Sequence, residues 1–196
     1  MNEKILAKIK ERHKKERAEK ASAKGRGSRI KGHNFERQIA NIFKKVDPTA
    51  ARNLEEYREG TVDIRTKLPL AIQCKRMRKW PSPYNVMQQA SDGARDGEIP
   101  IGIVKVDWEP EPLVIIQFEH AKMLWGLDEA KWIIRPHKIG NIFNAEWREL
   151  RFDAKDWQIP IIKQSVQRSK RTICTLYFIH LDDFMKQIKL VYGTKT

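Results

Sequence analysis

Four side chains in this sequence have the types and spacing that phosphodiester chemistry uses. Residues 61–65 and 70–75 read as two strands joined across Lys67-Leu68-Pro69. A hairpin centred on Leu68 sets Asp63 opposite Gln73 and Arg65 opposite Ala71. Side chains alternate along a strand, so Gln73 and Lys75 share one face while Leu70, Ile72 and Cys74 share the other. Glu36, beside Phe35 at the edge of an apolar helical stripe, can reach over the sheet toward the same place. Hydrolysing a phosphodiester calls for a hard cation to neutralise the phosphate and for oxygen ligands to hold that cation. Asp63 and Glu36 supply carboxylates, Gln73 a neutral oxygen, and the backbone carbonyl of Cys74 another. Lys75 binds no cation, but it can orient or activate the attacking water and stabilise charge developing on the phosphate. Arg52 can add a phosphate contact. A blander reading competes: in a chain with 33% charged residues such a triplet arises by chance. An exposed hairpin would then explain Asp63, Gln73 and Lys75, and Glu36 would be a solvated helix residue. The order of the surrounding elements favours the catalytic reading.

Those elements follow from periodicity. Phe35, Ile39, Ile42, Phe43 and Val46 mark one face of a helix that Asp47-Pro48 ends. Ala50–Arg52 is a short strand, and residues 53–60 form a polar loop. Trp80-Pro81-Ser82-Pro83 is a rigid turn into a helix from Asn85 to Ala94. Ile99–Val106 and Leu113–Phe118 are apolar runs of strand length, and a short helix from His120 to Leu127 follows. The order helix, three strands, helix, strand, strand, helix predicts an α/β fold, a mixed central sheet flanked by helices. Beyond Asp128 the pattern is weaker: Trp132, Trp147 and Trp157 are scattered among polar segments. Ile173–Ile179 reads as a strand leading into a helix from Asp182 to Val191. The strand-then-helix texture of Leu113–Leu127 recurs there, in too few similar residues to count as a repeat.

Charge narrows the partners. The 196 residues carry 39 Lys and Arg against 25 Asp and Glu, a formal +14. A polyanion is the expected partner, nucleic acid ahead of a membrane surface. From Met1 to Lys31 there are 12 lysines and arginines against 4 glutamates. Strong helix formers fill this arm to Ala23, and the glycines in Lys24-Gly25-Arg26-Gly27-Ser28-Arg29 are expected to break the helix. The arm reads as a solvated, partly disordered tail or as a segment that tracks phosphates and orders on contact, with a partner-docking or oligomerisation helix as a third reading. No apolar run approaches the roughly 20 residues that cross a bilayer, and no apolar leader opens the chain. Two cysteines, Cys74 and Cys174, imply neither a disulfide framework nor a cysteine zinc site, and a reducing, intracellular setting is expected. The five histidines have no metal-ligand spacing, and there is no Gly-Lys-Ser or Gly-Lys-Thr loop for ATP. His120 and His180, each after an apolar strand, are expected to have a structural or surface role.

The stretch Lys31-Gly32-His33-Asn34-Phe35-Glu36-Arg37, with Arg52, Gly60-Thr61-Val62-Asp63-Ile64 and Ile72-Gln73-Cys74-Lys75, resembles the PD-(D/E)xK nuclease superfamily. More narrowly it resembles the archaeal-type Holliday junction resolvases and their viral relatives. The resemblance covers about residues 31–118. It implies a restriction-endonuclease-like core over residues 31–127. The basic arm at 1–30 and residues 128–196 lie outside the match, and the latter are expected to be a C-terminal elaboration packed on the core or near a dimer interface. The resemblance also implies a homodimer that nicks branched double-stranded DNA in pairs at four-way junctions, using Mg2+ for which Mn2+ substitutes. The alternatives are another endonuclease of the superfamily (restriction-like, repair or flap-cutting) and a catalytically inactive DNA-binding relative. Glu36, Asp63, Gln73 and Lys75 fall on the family's catalytic positions. The metal would rest on Glu36, Asp63, Gln73 and the Cys74 carbonyl. The cations expected to meet DNA are Arg26, Arg29, Lys31, Arg37, Arg52, Arg76 and Arg78, with Lys163, Arg168, Lys170 and Arg171 as further contacts. The sequence departs from the family's pattern at three points: Gln73 stands where glutamate is commoner, residues 53–60 hold no serine, leaving Thr61 as the nearest hydroxyl, and Val62 replaces a proline.

Overall fold

The computed structural model describes residues 3–54, 62–107, 109–126, 132–136, 158–168 and 171–193. Much of the loop at 53–61, Trp108, His137, Trp147, Trp157 and Lys170 lie outside them, as do the side chains of Arg168 and Arg171. The elements are α1 (Glu3–Phe43), β1 (Ala51–Arg52), β2 (Ile64–Arg65), β3 (Leu70–Met77), α2 (Pro83–Asp92), β4 (Ile99–Val106), β5 (Leu113–Gln117), α3 (Phe118–Trp125), β6 (Trp132–Pro136), β7 (Ile159–Arg168), β8 (Arg171–His180) and α4 (Leu181–Tyr192). All strands join one mixed eight-stranded sheet in the order β1-β2-β3-β4-β5-β8-β7-β6. The chain is therefore α/β, with helices on both faces of the sheet. No helix among the described residues is long and apolar enough to cross a membrane.

Each face buries its own core. On one, Phe35, Ile39 and Phe43 of α1 pack with Leu70, Ile72 and Cys74 of β3, Ile101 and Ile103 of β4, and Phe184 and Ile188 of α4. Full burial of side chains this size contributes roughly 1.5–3 kcal/mol each. On the other face Val86 and Met87 of α2 cover Val104, Val106, Leu113 and Ile115. Close approach there requires Gly102, because a Cβ at that position would stand 2.5 Å from Val86 Cγ1. Ser82 caps α2, its Oγ accepting from Asn85 N at 3.4 Å, and Pro83 begins the helix.

One expectation fails in α1. The helix runs unbroken through Gly25 and Gly27. Each glycine costs about 1 kcal/mol in a helix interior, but nucleation is met only once, by the turns that Phe35, Ile39 and Phe43 anchor. Lys31 Nζ, 3.1 Å from Asp107 Oδ2, fastens the helix to the end of β4 just beyond the glycines. At about 1.5 Å per residue the helix is about 60 Å long, and residues 25–31 are exposed on it.

A second finding lies in the strand registers. Trp132, Ile133 and Ile134 face Ile159, Pro160 and Ile161 just as Leu70, Ala71 and Ile72 face Ile99, Pro100 and Ile101, both pairs parallel. Ile162↔Phe178, Lys163↔Tyr177 and Gln164↔Leu176 match Gly102↔Ile115, Ile103↔Val114 and Val104↔Leu113, both antiparallel. The texture that looked too slight in sequence is thus a repeat in three dimensions. β6, β7 and β8 extend the same sheet.

Past α1, Asp47 ties the helix end to the β2–β3 hairpin. Its carboxylate accepts from Thr49 N (2.9 Å), Thr49 Oγ1 (2.6 Å), Thr66 Oγ1 (2.6 Å) and Lys67 N (2.6 Å). Burial pushes its pKa up, but these hydrogen bonds outweigh burial and lower it from 3.8 to about 2. A depressed carboxylate pKa contributes stability that is present above pH 3.8 and lost as pH falls toward 2. The shift corresponds to about 2 kcal/mol. Urea melts of Asp47→Asn should show that deficit at pH 7, with the gap to wild type closing between pH 4 and 2. A gap independent of pH would assign the loss to packing instead.

Candidate active site at the β2–β3 hairpin

The hairpin takes the register expected from its sequence. Ile64 faces Ile72, and Asp63 N donates to Ile72 O at 2.9 Å, which leaves Asp63 opposite Gln73. β2 is only Ile64–Arg65, so beside Cys74 the place of a strand carbonyl falls to a side chain. Asp63 Oδ2 accepts there from Cys74 N at 2.6 Å and from Gln73 Nε2 at 2.7 Å. In an extended strand the N–H and C=O of one residue point the same way, so the Cys74 carbonyl also faces the Asp63 side.

Two further contacts hold this arrangement. Asn53, which is 3% exposed, donates from its backbone to Asp63 O (2.8 Å) and from Nδ2 to Val62 O (2.8 Å). The sequence places Asn53 in a polar loop. Its only signal was position, one residue past a strand and next to a basic residue. Glu36 reaches the site from α1, and its Oε2 accepts from Arg52 Nε at 2.5 Å. The Arg52 side chain is 14% exposed and the Glu36 side chain 11% exposed. Arg52 thus sits against a carboxylate within the site.

Electrostatics show how closely these groups gather. Cys74 is buried and free, and burial pushes its thiol pKa well above the ordinary value. The charges of Asp63 and Glu36 raise it further, while Lys75 opposes them. One buried sulfur therefore senses both carboxylates and the lysine together. Lys75 is half-buried and makes no hydrogen bond or ion pair with a described residue.

The donor set has the chemistry of a hard-cation site: two carboxylates, an amide and a main-chain carbonyl, all oxygen. Among the described residues no three or more His, Cys, Asp or Glu side chains gather as a metal cluster. A cation here would rest on two charges completed by neutral oxygens and water. The Gln73 amide currently turns its nitrogen to Asp63, so its Oε1 is the atom it would offer.

The expected DNA-facing cations divide. Lys31 and Arg76 both reach Asp107, at 3.1 Å each, and with Gly27, Ser28, Met77 and Arg78 they line a cleft of about 390 Å³. Hydrogen bonds from Arg76 and Lys31 lower the Asp107 pKa. Arg26 and Arg29 are exposed on α1. Arg37 lies apart, on a stripe with Asn34, Gln38, Asn41 and Lys45. In the C-terminal part Lys163 is exposed. His180 pairs with Glu111, and Trp125 and Trp132 pack edge-to-face within an aromatic cluster with Tyr177 and Phe184.

A scan against protein-family models and searches of curated proteins and of solved structures return no match.

The Asp63–Gln73 contact yields a direct test. Gln73→Glu sets a second carboxylate where an amide now donates at 2.7 Å, so the variant should melt lower than wild type in EDTA and gain more than wild type when Mg2+ is added. A variant that melts like wild type and ignores Mg2+ would show that position 73 faces no metal.

Proposed function

We propose that this protein is a magnesium-dependent DNA endonuclease with a restriction-endonuclease-like core, which cuts branched DNA at four-way junctions. The observation that carries the reading is Asp63, held by the side chain of Gln73 and the amide of Cys74, with Lys75 on the same strand and Glu36 brought alongside by α1. In hydrolysis, water attacks phosphorus, one P–O bond forms, and the P–O bond to the leaving sugar oxygen breaks as that oxygen takes up a proton. Glu36, Asp63, Gln73 and the Cys74 carbonyl would hold Mg2+, which when bound supplies charge neutralisation at the phosphate. Lys75 orients the attacking water and meets the charge that grows on the phosphoryl oxygens. Asn53 positions Asp63 through the backbone, and Arg52 fixes Glu36. Lys31, Arg76 and Arg78 in the cleft, with Arg26 and Arg29 along α1, meet the DNA backbone, the sequence-independent part of binding.

A second reading has one observation in its favour. Arg52 and the Gln73 amide already satisfy the two carboxylates, as they would in a DNA-binding relative that has lost catalysis.

A labelled four-way junction and a matching linear duplex, each with Mg2+ or EDTA, separate these. Cuts confined to the junction, dependent on Mg2+ and lost in Lys75→Ala with binding retained, are the expected result. Equal cutting of both DNAs would keep the nuclease and remove the junction preference. Binding without cutting would favour the inactive relative.

A further inference from the structure

The sheet carries a symmetry that bears on how many strands one chain can cut. β3, β4, β5 and α3 on one side correspond in order and register to β6, β7, β8 and α4 on the other. β5 and β8 meet antiparallel, with Leu113↔His180, Ile115↔Phe178 and Gln117↔Leu176. Under the correspondence Leu113 matches Leu176, Ile115 matches Phe178 and Gln117 matches His180. The seam therefore maps onto itself, with a pseudo-two-fold axis through the Ile115/Phe178 pair. Such self-complementary pairing is the arrangement of two copies in an isologous dimer, here within one chain.

The cores repeat with the strands. Leu70, Ile99, Ile101, Val114 and Ile116 are buried on the α1 face, and so are their counterparts Trp132, Ile159, Ile161, Tyr177 and Ile179. On the opposite face Leu113 and Ile115 match Leu176 and Phe178. The triplet Ile99-Pro100-Ile101 recurs as Ile159-Pro160-Ile161. The stretch between β6 and β7, where a counterpart of α2 would stand, lies outside the described residues.

Among the described residues the site does not repeat. Gln73, which faces Gly102, has its counterpart in Arg135, which faces Ile162; Cys74, which faces Ile103, has its counterpart in Pro136, which faces Lys163. A guanidinium has no lone pair for a cation, and proline has no N–H with which to hold a carboxylate. β6 ends the sheet, so no strand among the described residues stands beside it as β2 stands beside β3. We infer that the chain is a fused pseudo-dimer with one catalytic and one blank half. Resting on the nuclease reading above, it cuts one DNA strand per chain, and the blank half occupies the β5 edge and completes the scaffold.

A cruciform-extruding supercoiled plasmid tests this, because one nick gives an open circle and two cuts in one event give a linear product. Wild type would be mixed with Lys75→Ala at several ratios and constant total protein, and the mass of free chain measured by sedimentation. The expected result is a 23.0 kDa species, open circles forming before linear product, and a nicking rate linear in the wild-type fraction. A first product that is linear, and that falls with the square of the wild-type fraction, would overturn the inference, since two active chains would then be acting as one unit. A species of twice the mass would overturn the claim that the built-in two-fold suffices. No cutting by wild type under any Mg2+ condition would instead sink the nuclease reading, and the single-cut claim with it.

Discussion

The candidate site depends on the pairing of Ile64 with Ile72. β2 is so short that this contact, with the hydrogen bonds beside it, fixes which way Asp63 points. A slip of one residue would exchange the two faces of the hairpin. Asp63 would then turn toward the face where Phe35, Ile39 and Phe43 pack, and Ile64 would leave it. The register is therefore enforced by burial, since Ile64 and Ile72 are both fully buried. Asp47 strengthens it from outside by taking hydrogen bonds from Thr66 and Lys67 at the mouth of the turn. The same apolar contact that positions α1 over the sheet also delivers Glu36, which follows Phe35 directly. Packing and the placement of candidate catalytic groups are thus one problem here.

This explains which parts of the molecule were legible in the sequence. The hairpin register, the strand Ile99–Val106 and the order of elements through α3 rest on local alternation and on prolines, both of which are visible in one dimension. The contacts of Asn53, Asp47 and Asp107 were not, because each joins residues that meet only after the sheet has formed. Asp107, for example, is shared by Lys31 and Arg76 across long separations in the chain. The unbroken course of α1 was misread for a different reason. Glycine propensity is a cost of about 1 kcal/mol per residue, which decides the matter in an isolated peptide. In this chain the helix is nucleated by a buried segment downstream, and the basic residues continue it outward.

The pseudo-symmetry was hidden because register survives where sequence does not. A strand is recognised by its neighbours through burial on a face, and Ile, Leu, Val, Phe, Trp and Tyr are interchangeable for that purpose if the volume is shared out across the layer. Leu70 and Trp132 hold equivalent places, yet nothing in their one-dimensional surroundings says so. Gln73 and Cys74 differ in chemistry from Arg135 and Pro136, beside which no Asp63 has to be held. Where Gln73 and Cys74 serve the site, Arg135 and Pro136 face no such constraint.

Gln73 also sets the charge balance of the candidate site. Two carboxylates, Asp63 and Glu36, stand near two cations, Arg52 and Lys75, so the group is close to neutral before any ligand arrives. A glutamate at position 73 would leave it negative, attracting a divalent cation strongly and repelling a phosphate when the cation is absent. The neutral amide relaxes both effects. It donates to Asp63 as a placeholder for positive charge and leaves the approach of a polyanion less opposed. On the proposed reading this makes cation binding weaker in the free protein and more dependent on the phosphate that arrives with it, since the phosphate oxygens add the negative charge that the glutamine withholds. Metal and DNA would then bind cooperatively, each supplying part of the charge that the other needs.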